Sequence, residues 1–260
     1  MAGVRTYAGG AVCWARDAVP VYEPLARHLL AALPVGVAGR RVLDAGAGSG
    51  VVGDLLRDRG AVVTSVDLEP DMVEHLARKG PAVLADVRRL PFPAEQVDVC
   101  VAAFVLNHLA EPVLGLVELA RVAAADGWVL ASVFGNDRAP AKHLVDAVAA
   151  DFGYAPPRWY LEQGRAAETI GTVSGITDAA RRAGLRVVLV DEHPVDVGLT
   201  ATADVVRYRC ALPQLRPFVA SLDPVTRRAF WTAAAAALSD AGASFSPVVL
   251  RLVAQPAAPA

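Results

Sequence analysis

The segment from Arg41 to Gly50 constrains the fold of this chain more than any other. It begins with the apolar end of a predicted strand, which Asp44 closes. The turn that follows contains three glycines at alternate positions: Gly46, Gly48 and Gly50. An apolar helix face comes next. Because glycine has no Cβ, a strand, a glycine turn and a helix in this order let the backbone approach a nucleotide-like ligand closely.

Strand and helix patterns alternate on both sides of this segment. After the strand that ends at Asp44, further strands are predicted at 62–67, 82–86, 97–105, 128–134, 186–190 and 248–253. The run 97–105 is continuously apolar, as a strand buried on both faces requires. The repetition predicts an α/β fold with a mostly parallel sheet, helices on both faces and a ligand at the carboxyl ends of the strands. The position of the last strand after a helical segment also allows it to be antiparallel.

The chain divides into a core and added helical segments. We expect a helical lid over 1–39, a cofactor-binding core over 40–135 that continues over 172–198, cap insertions over 136–171 and 199–245, and a last strand with a loose tail over 246–260. The lid would bring Trp14, Asp17 and Tyr22 near a ligand. The alternative is a helix that only packs on the edge of the core.

Composition excludes several classes of protein. An apolar fraction of 54% and a charged fraction of 20% indicate a folded chain with a large core. The net charge of -2 and the lack of a basic run give no reason to expect a nucleic-acid partner. The start of the chain lacks the pattern of a signal peptide, and no apolar run approaches the ~20 residues that span a bilayer. We therefore predict a cytoplasmic protein without a membrane partner, either a monomer or a homodimer.

The cysteines point to the same compartment. Cys13, Cys100 and Cys210 are scattered and show no metal-ligand spacing. The pattern predicts reduced thiols in a cytosolic protein and no bound metal.

The identity of the ligand depends on charges near the glycines, because such loops serve NAD, FAD and S-adenosylmethionine alike. Val51 occupies the place where the dinucleotide fingerprint has its third glycine or alanine. Asp44 would repel an anionic diphosphate at the helix start, and it suits a cationic ligand such as S-adenosylmethionine. Asp67 ends the second strand and can accept from ribose hydroxyls, a feature that NAD enzymes share. Asp86 ends the third strand and can accept from an adenine amino group.

At these residues the sequence resembles the class I S-adenosylmethionine-dependent methyltransferases, particularly the small-molecule group that includes the ubiquinone and menaquinone C-methyltransferases. The resemblance covers roughly 40–135 and rests on the segments 42–50, 66–72, 86–92, 97–109 and 127–134. It implies a Rossmann-like sheet of seven strands whose last strand is antiparallel. One departure is Ala124-Ala-Asp-Gly127, where relatives often have Pro-Gly-Gly; this turn is remote from the cofactor.

The resemblance also implies roles for individual residues in binding S-adenosylmethionine. It assigns the methionine part to Asp44, Gly46, Gly48 and Gly50, the ribose to Asp67, the adenine side to Leu68 and Met72, the adenine edge to Asp86 and Val87, and the floor beneath the sulfonium to Phe104 and Val105. Purely structural roles compete with these. The glycines can serve a tight turn alone, Asp67 and Asp86 can cap strand ends, and Met72 can be ordinary core.

Methyl transfer from a sulfonium is an in-line displacement, so the protein must mainly align the reactants and exclude water. A general base is needed only for an acceptor hydroxyl, a protonated amine or an acidic C–H. The candidate bases are His108, His143 and Tyr160, whereas His193 is expected to be structural. The candidate acceptor-binding residues are aromatic: Trp14, Tyr22, Trp159 and Tyr160. Apolar walls with few charges favour a hydrophobic or aromatic small molecule, in keeping with natural product biosynthesis.

Other functions are compatible with the same glycine loop. An enzyme of this fold can retain S-adenosylmethionine and guide a cyclisation or rearrangement instead of methylation. A binding or regulatory protein can retain the fold without catalysis. A Rossmann dehydrogenase that uses NAD is a further alternative.

Overall fold

One mixed sheet organises the part of the chain that the structure, a computed structural model, describes: residues 14, 16–136, 140–242 and 245–257. Its strands are β1 (Arg41–Ala45), β2 (Val62–Asp67), β3 (Ala82–Leu84), β4 (Val97–Ala103), β5 (Ala123–Phe134), β6 (Leu185–Pro194) and β7 (Val248–Pro256). Within these ranges the strand order is β3-β2-β1-β4-β5-β7-β6. Strand β7 is antiparallel to β5 and β6, and the strands from β3 to β5 pair in parallel. The predicted fold class is therefore confirmed.

Helices cover the sheet and build the added segments. They are α1 (Val19–Leu30), α2 (Val51–Arg57), α3 (Pro70–Ala77), a 3₁₀-helix (Leu106–His108), α4 (Pro112–Val122), α5 (Pro140–Asp151), α6 (Arg158–Ile170), α7 (Val173–Arg182), α8 (Thr202–Ala211), α9 (Arg216–Ser221) and α10 (Pro224–Asp240). Among the described residues, no helix has both the length and the apolar character needed to cross a bilayer. Cys13 lies outside the described residues, and so do most of the residues before position 16 and the last three residues of the tail.

Neighbouring side chains on each central strand point to opposite faces, and each face has its own helices. Leu43 packs in one cluster with Leu119 of α4 and Ile176 of α7. Val42, the residue before it, packs in another cluster with residues of α1 and α2 such as Leu56. This arrangement buries the sheet on both sides, which explains why the central strands are almost continuously apolar.

Local signals explain most of the element boundaries. Proline occupies the first helical position at Pro70 and Pro112, where its missing N–H has no helical partner to lose. Asp223 caps α10 by accepting from the backbone N–H groups of Val225 (2.8 Å) and Thr226 (3.1 Å). Strand β2 has the predicted bounds.

Three strands are longer than predicted. Strand β5 begins at Ala123 instead of position 128, because Ala123 pairs with Val97 before an irregularity in the ladder. Strand β6 continues to Pro194, and β7 continues to Pro256, which lies inside the predicted loose tail. Polar residues pair along the antiparallel β6–β7 ladder, so apolar pattern alone underestimates its length.

The two predicted insertions join into one cap. A third cluster contains Val145 of α5, Val206 of α8, Val219 of α9 and the fully buried Phe230 of α10. Phe104, which follows β4, belongs to the same cluster. The cap therefore lies against the carboxyl end of β4, where the ligand is expected.

An ion pair connects α1 to the last two strands. Arg251 of β7 donates to both carboxylate oxygens of Asp191 in β6 (2.8 and 2.5 Å) and to the backbone oxygen of His28 in α1 (2.8 Å). The side chains of Arg251 and Asp191 are only 12% and 22% exposed. The guanidinium holds the pKa of Asp191 below its usual range. This contact helps to fix the helix that contains Tyr22.

We expect Asp191→Asn to lower the free energy of unfolding at pH 7 by about 1–2 kcal/mol, since charged hydrogen bonds are lost at a partly exposed site. The folded pKa of Asp191 lies below its unfolded value. Its stabilisation is therefore present above pH ~4 and is lost as the pH falls through the folded pKa. Urea unfolding should show a larger difference from wild type at pH 7 than at pH 3.

The control is Glu23→Gln, which breaks the exposed pair of Glu23 with Arg27 (2.7 Å) on α1 itself. We expect this variant to change stability by about 0–1 kcal/mol. Equal effects of the two variants at pH 7 would contradict a special role for the contact of Asp191 with Arg251.

Candidate functional site

A cavity of about 460 Å³ lies at the carboxyl ends of β1, β2 and β4, which is within the usual size range of small-molecule sites. The sheet order changes direction between β1 and β4, the place where ligands bind in open α/β sheets. Most of the predicted site residues line it: Trp14, Tyr22, Asp44, Gly46, Gly48, Asp67, Leu68, Met72, Asp86, Val87, Phe104, His108 and Trp159. Gly50, His143 and Tyr160 are not among its lining residues.

The three glycines of the loop have different structural roles. A Cβ on Gly46 would lie 2.3 Å from Cγ2 of Val105, and one on Gly50 would lie 2.8 Å from Cδ2 of Leu76. Both positions also have a left-handed backbone, so only glycine fits there. A Cβ on Gly48 would meet only Nε1 of Trp14, at 3.9 Å. Gly46 and Gly50 thus allow close packing of protein on protein, while Gly48 presents its open side to the cavity.

Backbone N–H groups on two sides fix the orientation of the Asp67 carboxylate. One carboxylate oxygen accepts from the N–H of Gly48 (2.7 Å), and the other accepts from the N–H of Glu69 (2.9 Å). Burial raises the pKa of Asp67, and these hydrogen bonds oppose the rise. Each carboxylate oxygen has further lone pairs. The side chain is therefore held in one orientation with capacity to accept from two neighbouring hydroxyls.

Asp44 holds the start of the helix after the loop. It is 1% exposed, and its Oδ2 accepts from the N–H of Gly53 (3.0 Å) in the first turn of α2. That helix begins after Gly50, which has no side chain to cap it, so Asp44 satisfies a donor that would otherwise lack a partner. Burial raises the pKa of Asp44 to about 7, although this hydrogen bond and the charge of Arg57 oppose the rise. A bound cation would favour the ionised form.

The end of β4 contains a strained residue. Phe104 has φ +56°, a left-handed conformation that is unfavourable for a bulky side chain. Its N–H donates to the backbone oxygen of Ser132 in β5 (2.9 Å), which fixes the turn. The ring of Phe104 lies 4.5 Å from that of Phe134 and 5.6 Å from that of Tyr22, which in turn lies 5.1 Å from the ring of Trp14. The strain thus places an aromatic ring in the cavity wall below the cap.

Asp86 already has a partner that sequence reasoning missed. Arg88 donates from Nη2 (2.6 Å) and Nε (3.0 Å) to its carboxylate, and the backbone N–H of Arg88 also donates to it (2.9 Å). The guanidinium holds the pKa of Asp86 below its usual range. Arg88 lines the cavity too. Its position two residues after Asp86 was a signal for this pairing, since such neighbours share a turn.

The His108 side chain lines the cavity and keeps a solvent-exposed surface. It ends the 3₁₀-helix, and its Nδ1 forms a hydrogen bond with the side chain of Gln163 in α6. Partial desolvation by neighbouring groups lowers the pKa of His108. Gln163 lines the cavity, and no sequence signal identified it, because its position depends on how α6 packs. His143 is exposed on α5, away from the cavity lining.

Among the described residues, neither the cysteines nor the possible metal ligands indicate a further binding site. Cys100 and Cys210 are free and buried, and burial raises the pKa of both thiols. In the described part of the chain, no three His, Cys, Asp or Glu side chains are grouped so that they could hold a metal ion.

Residues 43–131 match the methyltransferase domain family. The malonyl-[acyl-carrier protein] O-methyltransferase of Halorhodospira halophila is 38% identical over 112 residues, which cover 40% of this chain and 38% of the relative. The demethylmenaquinone methyltransferase of Beutenbergia cavernae is 35% identical over 101 residues, which cover 38% of this chain and 42% of the relative. The matches therefore span less than half the length of either relative.

Similarity of fold extends over the whole chain. The structure of Haemonchus contortus phosphoethanolamine N-methyltransferase 2 in complex with S-adenosyl-L-methionine is 14% identical, with a TM-score of 0.63 over 98% of this chain and 59% of that one. At this identity the comparison establishes the fold alone. Together these comparisons show a methyltransferase domain over residues 43–131, in a chain whose fold is similar to that of an S-adenosylmethionine-binding methyltransferase.

Proposed function

We propose that the protein transfers a methyl group from S-adenosylmethionine to a hydrophobic or aromatic small molecule. The charge of the cavity is the observation that supports this most. Its described lining residues include Asp44, Asp67, Glu69, Asp86 and Glu162, whereas Arg88 is the only lysine or arginine among them and is paired with Asp86. An acidic cavity attracts a sulfonium and an ammonium group and repels the diphosphate of a dinucleotide.

The residues fit S-adenosylmethionine part by part. Asp67 would accept from the ribose hydroxyls, and the open side of Gly48 leaves room for the methionine part near Asp44. The adenine would lie against Leu68, Met72 and Val87, which line the cavity. When bound, S-adenosylmethionine supplies an electrophilic methyl group with a good leaving group. The chain then has to hold the acceptor in line and keep water out.

The acceptor site would lie at the aromatic wall. Trp14, Tyr22, Phe104 and Trp159 offer large apolar faces in the cavity, and helix α1 would serve as part of a lid over them. Such walls bind flat, apolar molecules by burial and ring contacts. The two relatives named above act on different acceptors, so they do not identify the acceptor of this protein. We infer its class from the aromatic wall of the cavity instead. We propose an aromatic natural product as substrate, with the reaction taking place in the cytoplasm.

Among the described residues, His108 is the only histidine that lines the cavity. Desolvation lowers the pKa of His108, which weakens its imidazole as a proton acceptor. Its bond to Gln163 suits a role in holding α6 over the site. The protein would therefore favour acceptors that ionise readily, such as acidic phenols or enols, or that need no deprotonation.

The ribose contact can be tested by Asp67→Ala. We expect this variant to bind S-adenosylhomocysteine about 10- to 150-fold more weakly in calorimetry, because the ribose hydroxyls lose a charged acceptor. The control is Asp58→Ala at an exposed position just after α2, for which we expect unchanged affinity. Unchanged affinity in Asp67→Ala would show that the ribose lies elsewhere.

The buried carboxylate of Asp44 predicts a pH dependence. Only its ionised form attracts the ammonium group of the ligand, and its raised pKa of about 7 means that protonation removes this attraction between pH 8 and pH 6. The affinity for S-adenosylhomocysteine should therefore fall by about tenfold from pH 8 to pH 6. Asp44→Asn should bind weakly at both values, with little dependence on pH. A wild-type affinity that is constant over this range would contradict the role of Asp44.

Transfer itself can be tested with S-adenosylmethionine labelled in its methyl group. We expect label to appear in at least one member of a panel of hydrophobic phenols, enols and aromatic amines, and not in a matched panel of sugars and nucleosides. Turnover of a panel member without incorporation of label would instead support a cyclisation or rearrangement. Stabilisation against heat by NAD, and not by S-adenosylmethionine, would support a dehydrogenase and contradict the proposal.

A further inference from the structure

A lysine just after α3 holds the glycine loop from outside the cavity. Nζ of Lys79 donates to the backbone oxygen of Ser49 (2.9 Å) and to Oδ2 of Asp54 in α2 (2.6 Å). Ser49 lies between Gly48 and Gly50 and lines the cavity, whereas Lys79 is not among the lining residues. One side chain therefore connects the end of α3 to both the loop and the first turn of α2.

The position of Ser49 explains why its carbonyl needs a donor. The first helical hydrogen bond of α2 runs from the N–H of Asp54 to the oxygen of Gly50 (2.9 Å), so the carbonyl of Ser49 lies just outside the helix. The residue is only 4% exposed, and a buried carbonyl has to find its partners in the protein. Lys79 supplies a charged donor, and the ring of His75 on α3 also interacts with the backbone of Ser49.

The same end of α3 packs directly against the loop. A Cβ on Gly50 would lie 2.8 Å from Cδ2 of Leu76 and 3.5 Å from Nζ of Lys79. The N–H groups of Lys79 and Gly80 both donate to the backbone oxygen of Leu76 (2.8 and 3.1 Å), which fixes the point from which the lysine side chain extends. Met72 of the same helix lines the cavity on the side where we expect the adenine. Helix α3 therefore contacts both parts of the proposed cofactor site.

The ion pair of Lys79 with Asp54 adds little to stability by itself. The two side chains are 30% and 44% exposed, and exposed ion pairs contribute little to the free energy of unfolding. Asp54 also has a second partner, Nη1 of Arg57 (3.3 Å). Loss of the lysine should therefore leave the fold intact, and its main effect should be on the loop at Ser49.

We propose that Lys79 is a positioning residue that sets the glycine loop for the amino-acid part of S-adenosylmethionine. This inference rests on the proposed function, which places that part at the open side of Gly48, next to Ser49. The lysine acts through the backbone of the loop and does not touch the ligand. Without it, contacts with the amino-acid part would weaken. Asp67 would keep its hydrogen bond from the N–H of Glu69 (2.9 Å), so the ribose contact would change less.

The test compares S-adenosylhomocysteine with 5′-methylthioadenosine, which keeps the adenosyl group and the sulfur but lacks the amino-acid part. Calorimetry on the full chain at pH 8 gives both affinities. We expect Lys79→Met to bind S-adenosylhomocysteine about tenfold more weakly, an effect in the range of one hydrogen bond from a charged group. Its affinity for 5′-methylthioadenosine and its urea unfolding without ligand should stay close to those of the wild-type protein.

The matched control is Arg78→Gln at the preceding position, where Arg78 forms an exposed pair with Glu74 (2.9 Å). This variant removes one positive charge, as Lys79→Met does, and it should leave both affinities unchanged. If Lys79→Met does not fold, Lys79→Gln makes the same comparison with a polar side chain at this partly exposed position.

Three results would overturn the inference. They are unchanged affinity of Lys79→Met for S-adenosylhomocysteine, an equal loss of affinity for both ligands, and a loss in Arg78→Gln as large as that in Lys79→Met. The second would show general damage to the site, and the third would show an effect of charge alone. Failure of the wild-type protein to bind either ligand would instead overturn the proposed function.

Discussion

The hydrogen bond from the N–H of Gly48 to Asp67, at 2.7 Å, is the contact on which the site depends. It joins the loop after β1 to the end of the neighbouring strand β2. Two further bonds support it, because the N–H groups of Gly46 and Ala47 both donate to the backbone oxygen of Val66 (2.8 and 2.9 Å). The parallel pairing of β1 with β2 brings these groups together at one edge of the sheet. This contact links the orientation of the loop to that of the carboxylate.

The cavity therefore has two parts of different origin. The side that would hold the cofactor consists of strand ends and the glycine loop, where backbone hydrogen bonds set the position of each carboxylate. The other side consists of aromatic rings from α1, β4 and α6, packed against a cap built from the insertions. The sheet determines the position of the first part, whereas the position of the second depends on how the added helices pack. This division explains how one fold can combine a common cofactor with many acceptors.

Much of the core was predictable because short-range rules determine it. The bounds of β2 follow from a β-branched and mostly apolar segment between Gly60 and the helix start at Pro70, and the place of Asp67 follows from them. The cap was not predictable, since no local pattern reveals that helices from two insertions meet around Phe230. The partner of His108 in α6 was hidden for the same reason.

Other features could not be predicted from the sequence because they depend on backbone strain or on contacts in three dimensions. The left-handed backbone of Phe104 has no sequence signal, because its hydrogen bond to Ser132 joins residues that are distant in the sequence. Arg88 was visible beside Asp86, but its bidentate contact depends on the turn that follows β3. The early start of β5 depends on pairing with Val97, and a run of alanines gives little indication of a strand.

The most direct test of the account is a crystal structure of the protein with S-adenosylhomocysteine. We expect both ribose hydroxyls to lie within hydrogen-bond distance of the Asp67 carboxylate, and the sulfur to lie beside the ring of Phe104, facing Tyr22. An adenosyl group bound elsewhere, or a ribose with no contact to Asp67, would contradict it.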